Sequence, residues 1–367
     1  MDEKNIKTLK FSTIILIIPT LLSFIYVADI SSVFTALERR IGYLVAPILI
    51  LFLSKDESER SLNFSLRGIF YGVCAASIFL ISKNLYKYYT IRPLFYIDKD
   101  ILNYYHTGKE FTKIVDIHPT YFGMYVLLAF LILLFKSPIR KPLVRVIVFL
   151  VLFVCTLFLN ARIIFFMFMV IVLFFFWKNI TKFFNTTAIK VAVVLGSCII
   201  LGIAFVAFFG KTYFYQRMTS ELNWELSYEV GTNYNKKGTG DSRVARWHAA
   251  LALIGEQPLL GYGAGGEVDV LSAKFEEMGM AHSVGYRYNA HNQFLGFALE
   301  GGIFAVFLLG WFFLGNLNYA IKTDQIIHLW FFLTLFVICF FENYLIRNAG
   351  ITFVAFFSTL LNANRDE

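Results

Sequence analysis

The sequence predicts an all-helical, polytopic integral membrane protein with about ten (10–12) transmembrane helices. Of its 367 residues, 58% are hydrophobic and only 16% are charged, whereas soluble globular chains average about 45–50% apolar and about 25% charged residues. Several apolar runs are long enough to cross about 30 Å of hydrocarbon. These observations exclude a soluble multidomain enzyme, a disordered chain and a secreted disulfide scaffold. The same runs exclude a β-barrel, whose strands have about ten residues of alternating polarity.

Apolar runs bounded by charged residues give ten candidate spans. The first run follows a Lys-bearing start and is longer than a typical signal-peptide core. No small-residue cleavage site follows it, so we interpret it as an uncleaved anchor. Between the fifth and sixth spans only Asn160-Ala161-Arg162 interrupts the apolar run. The ten spans lie near residues 11–28, 35–54, 66–82, 118–135, 144–160, 163–177, 190–209, 291–315, 326–341 and 346–363.

The distribution of Lys and Arg predicts the orientation. With the N-terminus inside, 15 of the 33 Lys and Arg residues lie in cytoplasmic connections and four lie in short external connections. The other 14 lie in two long external segments, which the positive-inside rule largely exempts. Both termini are therefore predicted to be cytoplasmic. The net charge of +8 follows from this topology, and no nucleic-acid partner is expected.

We divide the chain into three segments. Residues 1–209 form an N-terminal bundle of about seven helices, residues 210–290 form a large external loop, and residues 291–367 form the C-terminal helices. The bundle also contains a polar, Tyr-rich external loop at residues 83–117. Loops longer than about 15 residues are usually functional or disordered. Because residues 210–290 include amphipathic stretches, we expect this loop to be folded and helical.

One predicted helix of the large loop carries two arginines near its start. Asp241 or Ser242 can cap its N-terminus, and a proline follows its C-terminal end. Arg243, Arg246 and Trp247 are spaced i, i+3 and i+4, so they share one face of the helix. Two guanidiniums near a helix N-terminus favour an anion-binding site, because they bind phosphate bidentately beside free N–H groups. The alternative is a solvated basic face.

A glycine-rich stretch follows at residues 258–266, which we call the glycine segment. It lacks the GK[ST] sequence of a P-loop, and no strand precedes it as a dinucleotide fingerprint requires. Gly261 and Gly263 therefore have two interpretations. They allow close approach of the backbone to a ligand, or they form a tight turn that returns the loop to the membrane.

His291 and Glu300 lie at the start of the eighth span. A His at the outer interface titrates near neutrality and can act as a general base on a hydroxyl group; alternatively it only caps the helix. Glu300 lies within the hydrocarbon, where charge is costly and usually functional. It is half a helical turn out of phase with His291, so we expect it to pair with another helix or to be protonated.

Arg162 and His118 are further candidates at the same side of the membrane. Arg162 is either a third cationic ligand or an arginine that extends to the lipid headgroups. His118 precedes a proline at the start of the fourth span and is ambiguous. The six His form no HExxH or HxxxH pattern, and no acidic or Cys cluster completes a metal site with them. The four Cys lie in apolar runs without a CxxC spacing, so neither a metal nor a cofactor is predicted.

In their order and spacing, these motifs resemble the O-antigen ligase and polymerase family of bacterial membrane glycan transferases. The resemblance is strong over about residues 240–305 and looser over the whole topology, since family members often have twelve or more spans. His118-Pro-Thr-Tyr121 and Asn160-Ala-Arg162 resemble two shorter family elements. The main resembling residues are Asp241-Ser-Arg243-Val-Ala-Arg246-Trp247, Pro258-Leu-Leu-Gly261-Tyr-Gly263, His291-Asn292-Gln-Phe-Leu295 and Glu300-Gly301-Gly302.

The resemblance implies a GT-C-like transferase that needs no metal. Such an enzyme takes a glycan from an undecaprenyl-diphosphate carrier at the periplasmic face of the bacterial inner membrane and passes it to an acceptor sugar. The resemblance implies that Arg162 and Arg243 bind the diphosphate and that His291 activates the acceptor hydroxyl. Arg246 has no secure counterpart in the family and is added from helix geometry. The other predicted substrate-binding residues are Trp247, Gly261, Gly263, His118 and Glu300.

Several functional alternatives stay open. The acceptor of a ligase is a lipid A core, and that of a polymerase is a second carrier-linked glycan; both use the same donor chemistry. A flippase of lipid-linked glycans should show internal repeats, of which we find none, or ionisable residues near the middle of a span, for which Glu300 is the clear candidate. A non-catalytic membrane scaffold would leave the Arg and His positions free to vary. The predicted partners are thus the donor, one of these acceptors and the lipid bilayer.

Overall fold

The computed structural model describes residues 11–95, 100–180, 186–235 and 239–363. These residues are mostly helical and include no β-strand, which confirms the predicted all-helical class. Short 3₁₀ helices occur at Ser12–Ile17, Tyr104–His106, Lys113–Val115 and Tyr344–Ile346. The α-helices up to the large predicted loop are α1 (Ile18–Tyr26), α2 (Ile30–Arg40), α3 (Gly42–Leu51), α4 (Lys55–Phe95), α5 (Lys109–Thr112), α6 (Pro119–Phe135), α7 (Pro142–Leu159), α8 (Arg162–Ile180) and α9 (Thr187–Phe209).

The rest of the chain contains eight further described α-helices. Five of them lie in the predicted loop 210–290, which is therefore helical as expected, and three follow it. They are α10 (Tyr213–Met218), α11 (Ser220–Glu225), α12 (Arg243–Glu256), α13 (Glu267–Glu277), α14 (Ala281–Gly285), α15 (Gln293–Lys322), α16 (Ile326–Cys339) and α17 (Asn348–Ala363).

Five described helices are long and apolar enough to cross a membrane: residues Lys55–Thr90 of α4, then α7, α8, α9 and α15. A sixth candidate combines Tyr104–Val115 with α6, with a bend of 82° between them. Shorter apolar helices lie at Ser12–Tyr26, α16 and α17. The chain is thus an integral membrane protein with several spans. The lengths and compositions of these helices do not confirm the predicted number of about ten spans.

The predicted span at residues 35–54 is divided at Ile41, between α2 and α3. Neither helix is long enough to cross the hydrocarbon alone. Pro47 lies inside α3 and cannot donate a helical hydrogen bond to the carbonyl of Tyr43. The Thr13 hydroxyl donates to that carbonyl at 3.0 Å instead. A neighbouring segment therefore stabilises this apolar helix in spite of its proline.

Helix α4 extends beyond the predicted span at residues 66–82 in both directions. Ser54 and Glu57 form a capping box at its start: the Ser54 backbone N–H donates to the Glu57 carboxylate at 2.8 Å, and the Glu57 N–H donates to the Ser54 hydroxyl at 3.4 Å. The helix continues to Phe95. The first part of the predicted polar loop 83–117 is therefore helical.

The chain divides into two compact units, Met1–Ser65 with Asn223–Glu367 and Leu66–Leu222. In the first unit α15 packs against α16, α12 and α1, and α17 packs against α3. Helices α12 and α13 of the predicted loop 210–290 share an apolar core with the start of α15. Its fully buried members include Ala245, Ala249, Leu271, Phe275, Met280, Ala290 and Leu299.

In the second unit α6 packs against α7 and α8. Aromatic rings fill this contact: the Phe130 ring centroid lies 4.9 Å from that of Phe149 and 4.4 Å from that of Phe168. Asn160 ends α7 in a left-handed conformation with φ of +48°, and α8 begins two residues later at Arg162. The predicted interruption between the fifth and sixth spans is therefore confirmed.

Candidate functional site

Helix α12 begins at Arg243, directly after the predicted capping residues Asp241 and Ser242. Ser242 is its N-cap, because its hydroxyl accepts a hydrogen bond from the Ala245 N–H at 3.2 Å. The same hydroxyl donates to the Ser227 carbonyl at 2.6 Å. The carboxylate of Asp241, the other predicted cap, accepts from the Ser283 N–H at 2.8 Å instead. The start of α12 is thus fixed to neighbouring segments of the predicted loop.

Arg243 and Arg246 converge on one carboxylate oxygen of Glu225. This Oε2 atom lies 2.9 Å from the Arg243 backbone N, 3.4 Å from Nη2 of Arg246 and 3.8 Å from Nε of Arg243. It is therefore at the N-terminus of α12 and near both guanidiniums, where an anion is favoured. We call the two guanidiniums and this helix N-terminus the anion site. Glu225 was not among the residues predicted from the sequence.

The anion site has hydrogen-bond donors that the described residues do not use. The Arg243 side chain is 21% exposed and that of Arg246 only 6%. Burial lowers the pKa of Arg246, although an arginine stays protonated at neutral pH. The Nε atoms of both arginines are buried without a hydrogen-bond partner among the described residues. Because an unsatisfied buried donor costs about 1–3 kcal/mol, the site retains capacity for an anionic ligand.

His291 is joined to the anion site through Tyr288 and Trp247. The guanidinium carbon of Arg246 lies 4.8 Å from the Tyr288 ring centroid, and that ring lies 5.6 Å from the His291 ring. The Trp247 indole N–H donates to the carbonyl of Ala290 at 3.0 Å. The predicted helix face therefore holds the backbone of the segment that carries His291.

His291 itself is held in a left-handed conformation, with φ of +48°. The N-cap of α15 is Asn292, whose side chain accepts from the Phe294 and Leu295 N–H groups. The alternative that His291 only caps this helix is therefore wrong. Its side chain is 20% exposed, and Nδ1 lies 3.4 Å from Oε1 of Glu342. Among the described residues Nδ1 has no partner in hydrogen-bond geometry.

The pKa of His291 is lowered from its ordinary value. Burial is the largest cause; the carboxylate of Glu342 opposes it, and the charges of Arg246 and Arg243 lower the pKa further. The imidazole is therefore neutral at neutral pH. A neutral imidazole can accept a proton, and the nearby carboxylate stabilises the imidazolium that forms.

Glu267 fixes the other side of the Ala290 peptide group. Its Oε1 accepts from the Ala290 N–H at 3.0 Å and from Nδ2 of Asn343 at 2.9 Å. Burial, followed by the charge of Glu300, raises the pKa of Glu267 to about 7. Trp247 and Glu267 thus bind the carbonyl and the N–H on the two sides of one residue, immediately before His291.

Glu300 pairs with another helix, which was one of the two expectations from the sequence. Its Oε2 lies 2.6 Å from Nη2 of Arg40, and the two side chains are 5% and 3% exposed. Arg40 also donates to the Thr20 hydroxyl at 2.7 Å. The Gly265 N–H donates to the other carboxylate oxygen of Glu300 at 3.4 Å. The partner, Arg40, was not among the site residues predicted from the sequence.

The glycine segment packs into a break in α15. Gly301 and Gly302 have non-helical backbone angles, so the Ile303 N–H does not reach the Leu299 carbonyl as it would in a regular helix. The Ile303 N–H donates to the carbonyl of residue 258 at 2.9 Å, and the N–H of residue 262 donates to the Leu299 carbonyl at 2.6 Å. The glycine segment therefore satisfies backbone groups that the break releases.

Gly261 and Gly263 make this packing possible. Their φ angles are +64° and +92°, which L-residues with a side chain rarely adopt. A Cβ atom would collide with the Leu299 carbonyl oxygen at the first and with the Val27 side chain at the second. The backbone of the glycine segment thus comes close to other residues of the same chain, where the sequence suggested a close approach to a ligand. Their role in substrate binding stays a prediction.

Arg162 and His118 belong to the second unit. Nη2 of Arg162 lies 3.1 Å from Oε1 of Glu221, which also accepts from Nη1 of Arg217 at 2.8 Å. His118 is the N-cap of α6, where its Nδ1 accepts from the Thr120 N–H at 3.4 Å. The described residues include no group of three or more His, Cys, Asp or Glu side chains that could hold a metal ion.

Sequence reasoning missed three acidic residues of the site, Glu225, Glu342 and Glu267. Their side chains are at most 14% exposed, and they contact groups far away along the chain. The available signal was composition: only 25 Asp and Glu residues occur in a strongly apolar chain, and buried acids are usually paired. That signal identifies the acids as candidates without identifying their partners.

The fold and this site define an integral membrane protein in which an anion site lies near a partly buried histidine whose pKa is lowered. Residues 146–310, just under half of the chain, match the family model described as O-antigen ligase. The resemblance to the O-antigen ligase and polymerase family is thereby confirmed, and it supports a membrane glycosyltransferase-type enzyme of surface-polysaccharide assembly. The match includes Arg162, Arg243 and His291. No curated protein matches the chain.

Proposed function

We propose that this protein transfers a glycan from an undecaprenyl-diphosphate carrier to an acceptor sugar at the periplasmic face of the bacterial inner membrane. One observation carries the proposal: Arg243, Arg246 and His291 lie in one unit, and each has a buried ring or guanidinium nitrogen without a hydrogen-bond partner among the described residues. Buried donors that lack acceptors favour an anionic ligand, and a neutral imidazole nearby favours proton transfer.

The arginines would stabilise the leaving group. When the bond from the anomeric carbon to the diphosphate oxygen breaks, its electron pair leaves with the diphosphate. Fixed cations in a site with little water stabilise this developing charge without reorganisation. Arg243 and Arg246 supply such cations at the N-terminus of α12. Arg162 keeps the diphosphate-binding role that the family resemblance implies.

His291 would act as the general base. Its Nδ1 faces Glu342, which leaves Nε2 for the proton of the acceptor hydroxyl. As that proton moves to Nε2, the hydroxyl oxygen forms the new bond to the anomeric carbon. The imidazolium that results is stabilised by the Glu342 carboxylate. This chemistry needs neither a metal nor a cofactor.

The topology is part of the proposal. The five long helices, the bent pair at residues 104–135, the three shorter apolar helices and the divided segment 35–54 together correspond to the ten predicted spans. We propose a GT-C-like bundle with both termini in the cytoplasm and with residues 83–117 and 210–290 on the periplasmic side. In this arrangement His291 and the anion site lie on the side where the lipid-linked donor is presented.

Ligase and polymerase activities share this donor chemistry, and glycan analysis of a deletion strain separates them. Loss of all glycan from the lipid A core, with carrier-linked polymer retained, indicates a ligase. Single repeat units on the core indicate a polymerase. Absence of glycan from the outer side of the membrane would instead indicate a flippase and contradict transfer.

Point variants test the residue roles. In Arg243→Ala and His291→Ala we expect transfer rates to fall by about 10²–10⁴-fold with unchanged protein level and membrane insertion. The matched controls are Arg287→Ala, whose side chain is 65% exposed, and His248→Ala, an exposed His of α12. Full transfer by His291→Ala would reject its role as base. Unchanged donor binding by Arg243→Ala would reject the diphosphate assignment.

A further inference from the structure

We propose that Glu225 occupies the anion site as an internal anion and competes with the diphosphate of the donor for Arg243 and Arg246. The inference rests on the proposed function, because it concerns the same two arginines. It adds a residue that sets the affinity for the donor, because the Glu225 carboxylate must leave before the donor binds.

The first argument is positional. One oxygen of Glu225 lies 2.9 Å from the backbone N of Arg243 and within 4 Å of both guanidiniums. These are the groups that the proposed function assigns to the diphosphate. The Glu225 side chain is only 14% exposed, so the carboxylate is bound in the site and does not merely screen it from solvent.

The second argument is the hydrogen bonds that the carboxylate leaves unmade. Nε of Arg243 and Nε of Arg246 have no hydrogen-bond partner within the described part of the chain. Arg246 is nine-tenths buried, with 5% of its surface exposed, so water does not replace the missing acceptor. A larger anion with more oxygens than a carboxylate can reach these donors when it takes the position of Glu225.

The third argument is charge. Two guanidiniums carry two positive charges, and Glu225 neutralises one of them. A phosphodiester carries one negative charge per phosphate, so a diphosphate diester brings two charges and neutralises both arginines when it takes the place of the carboxylate. Replacement of Glu225 by the diphosphate is therefore favourable, and the free energy needed to release the carboxylate lowers the apparent affinity for the donor.

The local backbone allows the exchange. Glu225 is the last residue of α11, and residues 226–235 that follow form no helix. Rotation of a side chain at a helix end requires no helical hydrogen bond to break. The carboxylate can therefore move out of the anion site while α12 and its capping residue Ser242 stay in place.

Binding to the full-length protein in lipid nanodiscs tests the proposal. The probes are dimethyl phosphate and dimethyl diphosphate, which carry one and two negative charges without a sugar or a lipid. Calorimetry gives the dissociation constant of each probe for the native protein and for Glu225→Gln. The matched control is Glu256→Gln, which removes a carboxylate of α12 that is 55% exposed and pairs with Lys274.

We expect Glu225→Gln to bind both dimethyl phosphate and dimethyl diphosphate about tenfold more tightly than the native protein does, because no carboxylate has to be released first. Glu256→Gln should bind the probes as the native protein does. Weaker binding of both probes by folded Glu225→Gln would show that the carboxylate only positions the arginines, and unchanged binding would show that it does not compete. Either result overturns the proposal.

Two further variants complete the test. If Glu225→Gln does not fold, Glu225→Asp retains the charge on a side chain one methylene shorter. It is expected to tighten the binding of both probes by a smaller factor, and unchanged binding would overturn the proposal. Arg243→Ala tests the proposed function separately. If it binds both probes as tightly as the native protein, the diphosphate site is wrong, whereas lost binding there with unchanged binding in the Glu225 variant rejects only the role of Glu225.

Discussion

The carboxylate of Glu342 lies 3.4 Å from the ring of His291, and the two side chains are 8% and 20% exposed. This contact opposes the influences that keep the imidazole neutral, namely burial and the two nearby arginines. Glu342 therefore lowers the free energy of the imidazolium form of His291, while the neutral imidazole stays the more stable form. A general base needs both properties, because it must be neutral before the proton transfer and charged after it.

This contact predicts a pH effect for Glu342→Gln. Because Glu342 raises the pKa of His291, its neutralisation should lower that pKa further. The base is active when deprotonated, so the acidic limb of the pH–rate profile should move to lower pH. The maximal rate should fall by about tenfold or more, since the imidazolium loses its counter-ion. A profile of transfer rate against pH measures both effects, with Glu256→Gln as control, and a shift to higher pH would contradict the assignment.

The buried ion pair of Arg40 and Glu300 predicts a large loss of stability when one partner is removed. In Glu300→Ala the guanidinium of Arg40 is left with the Thr20 hydroxyl in a site where it is 3% exposed. An uncompensated buried charge costs about 3–5 kcal/mol. The double variant Arg40→Met with Glu300→Leu should recover most of this loss. Thermal unfolding in detergent compares the three proteins.

The same variants separate structure from substrate binding at Glu300. If the double variant is stable and still binds the donor, Glu300 serves the fold. If it is stable and does not bind the donor, Glu300 has the substrate-binding role predicted from the sequence. Native stability of Glu300→Ala alone would contradict the ion-pair argument.

Close packing at Gly261 predicts a further difference in stability. Gly261→Ala adds a methyl group that collides with the Leu299 carbonyl, and we expect it to cost about 2–5 kcal/mol. Gly279→Ala is the matched control, because Gly279 has φ of +71° with no atom within 4 Å of the added Cβ. Its cost should be only the strain of a left-handed alanine, about 1–2 kcal/mol. Equal unfolding temperatures for the two variants would contradict the packing of the glycine segment described above.

The raised pKa of Glu267 predicts how stability depends on pH. Its pKa is about 7 in the folded protein against an ordinary 4.5. Between these values the folded state binds more protons than the unfolded state, so stability falls as pH rises. We expect the unfolding temperature to decrease by a few degrees from about pH 5 to about pH 8, and to decrease less in Glu267→Gln. The control is Glu277→Gln, an exposed residue of the same helix; an identical slope in Glu267→Gln would reject this cause.

Features that depend on local sequence were predicted well. The spans near residues 144–160, 163–177 and 190–209 correspond to α7, α8 and α9 within a few residues, because charged residues bound uninterrupted apolar runs. The shared helix face of Arg243, Arg246 and Trp247 follows from helical periodicity in the same way. The pairing of Glu300 with another helix followed from its phase relative to the rest of its own helix.

Features that depend on distant segments could not be predicted. The break in α15 exists because the glycine segment supplies backbone partners, and nothing near Gly301 in the sequence identifies that segment. The contacts of the acidic residues also join distant segments: Glu225 is 18 residues from Arg243, and Glu267 is 23 residues from Ala290. A single sequence contains no information on which of the few acids contacts which base.

The insertion of the glycine segment into α15 also constrains how such proteins can diverge. The glycine segment supplies hydrogen bonds that complete a helix long and apolar enough to cross a membrane, so neither part can be inherited alone. A chimera that takes residues 223–290 from one homologue and the following helices from another would join a glycine segment to a break for which it was not selected. The smallest unit that recombination can exchange intact therefore runs from α12 through the break at Gly302, across the boundary between the predicted loop and the eighth predicted span.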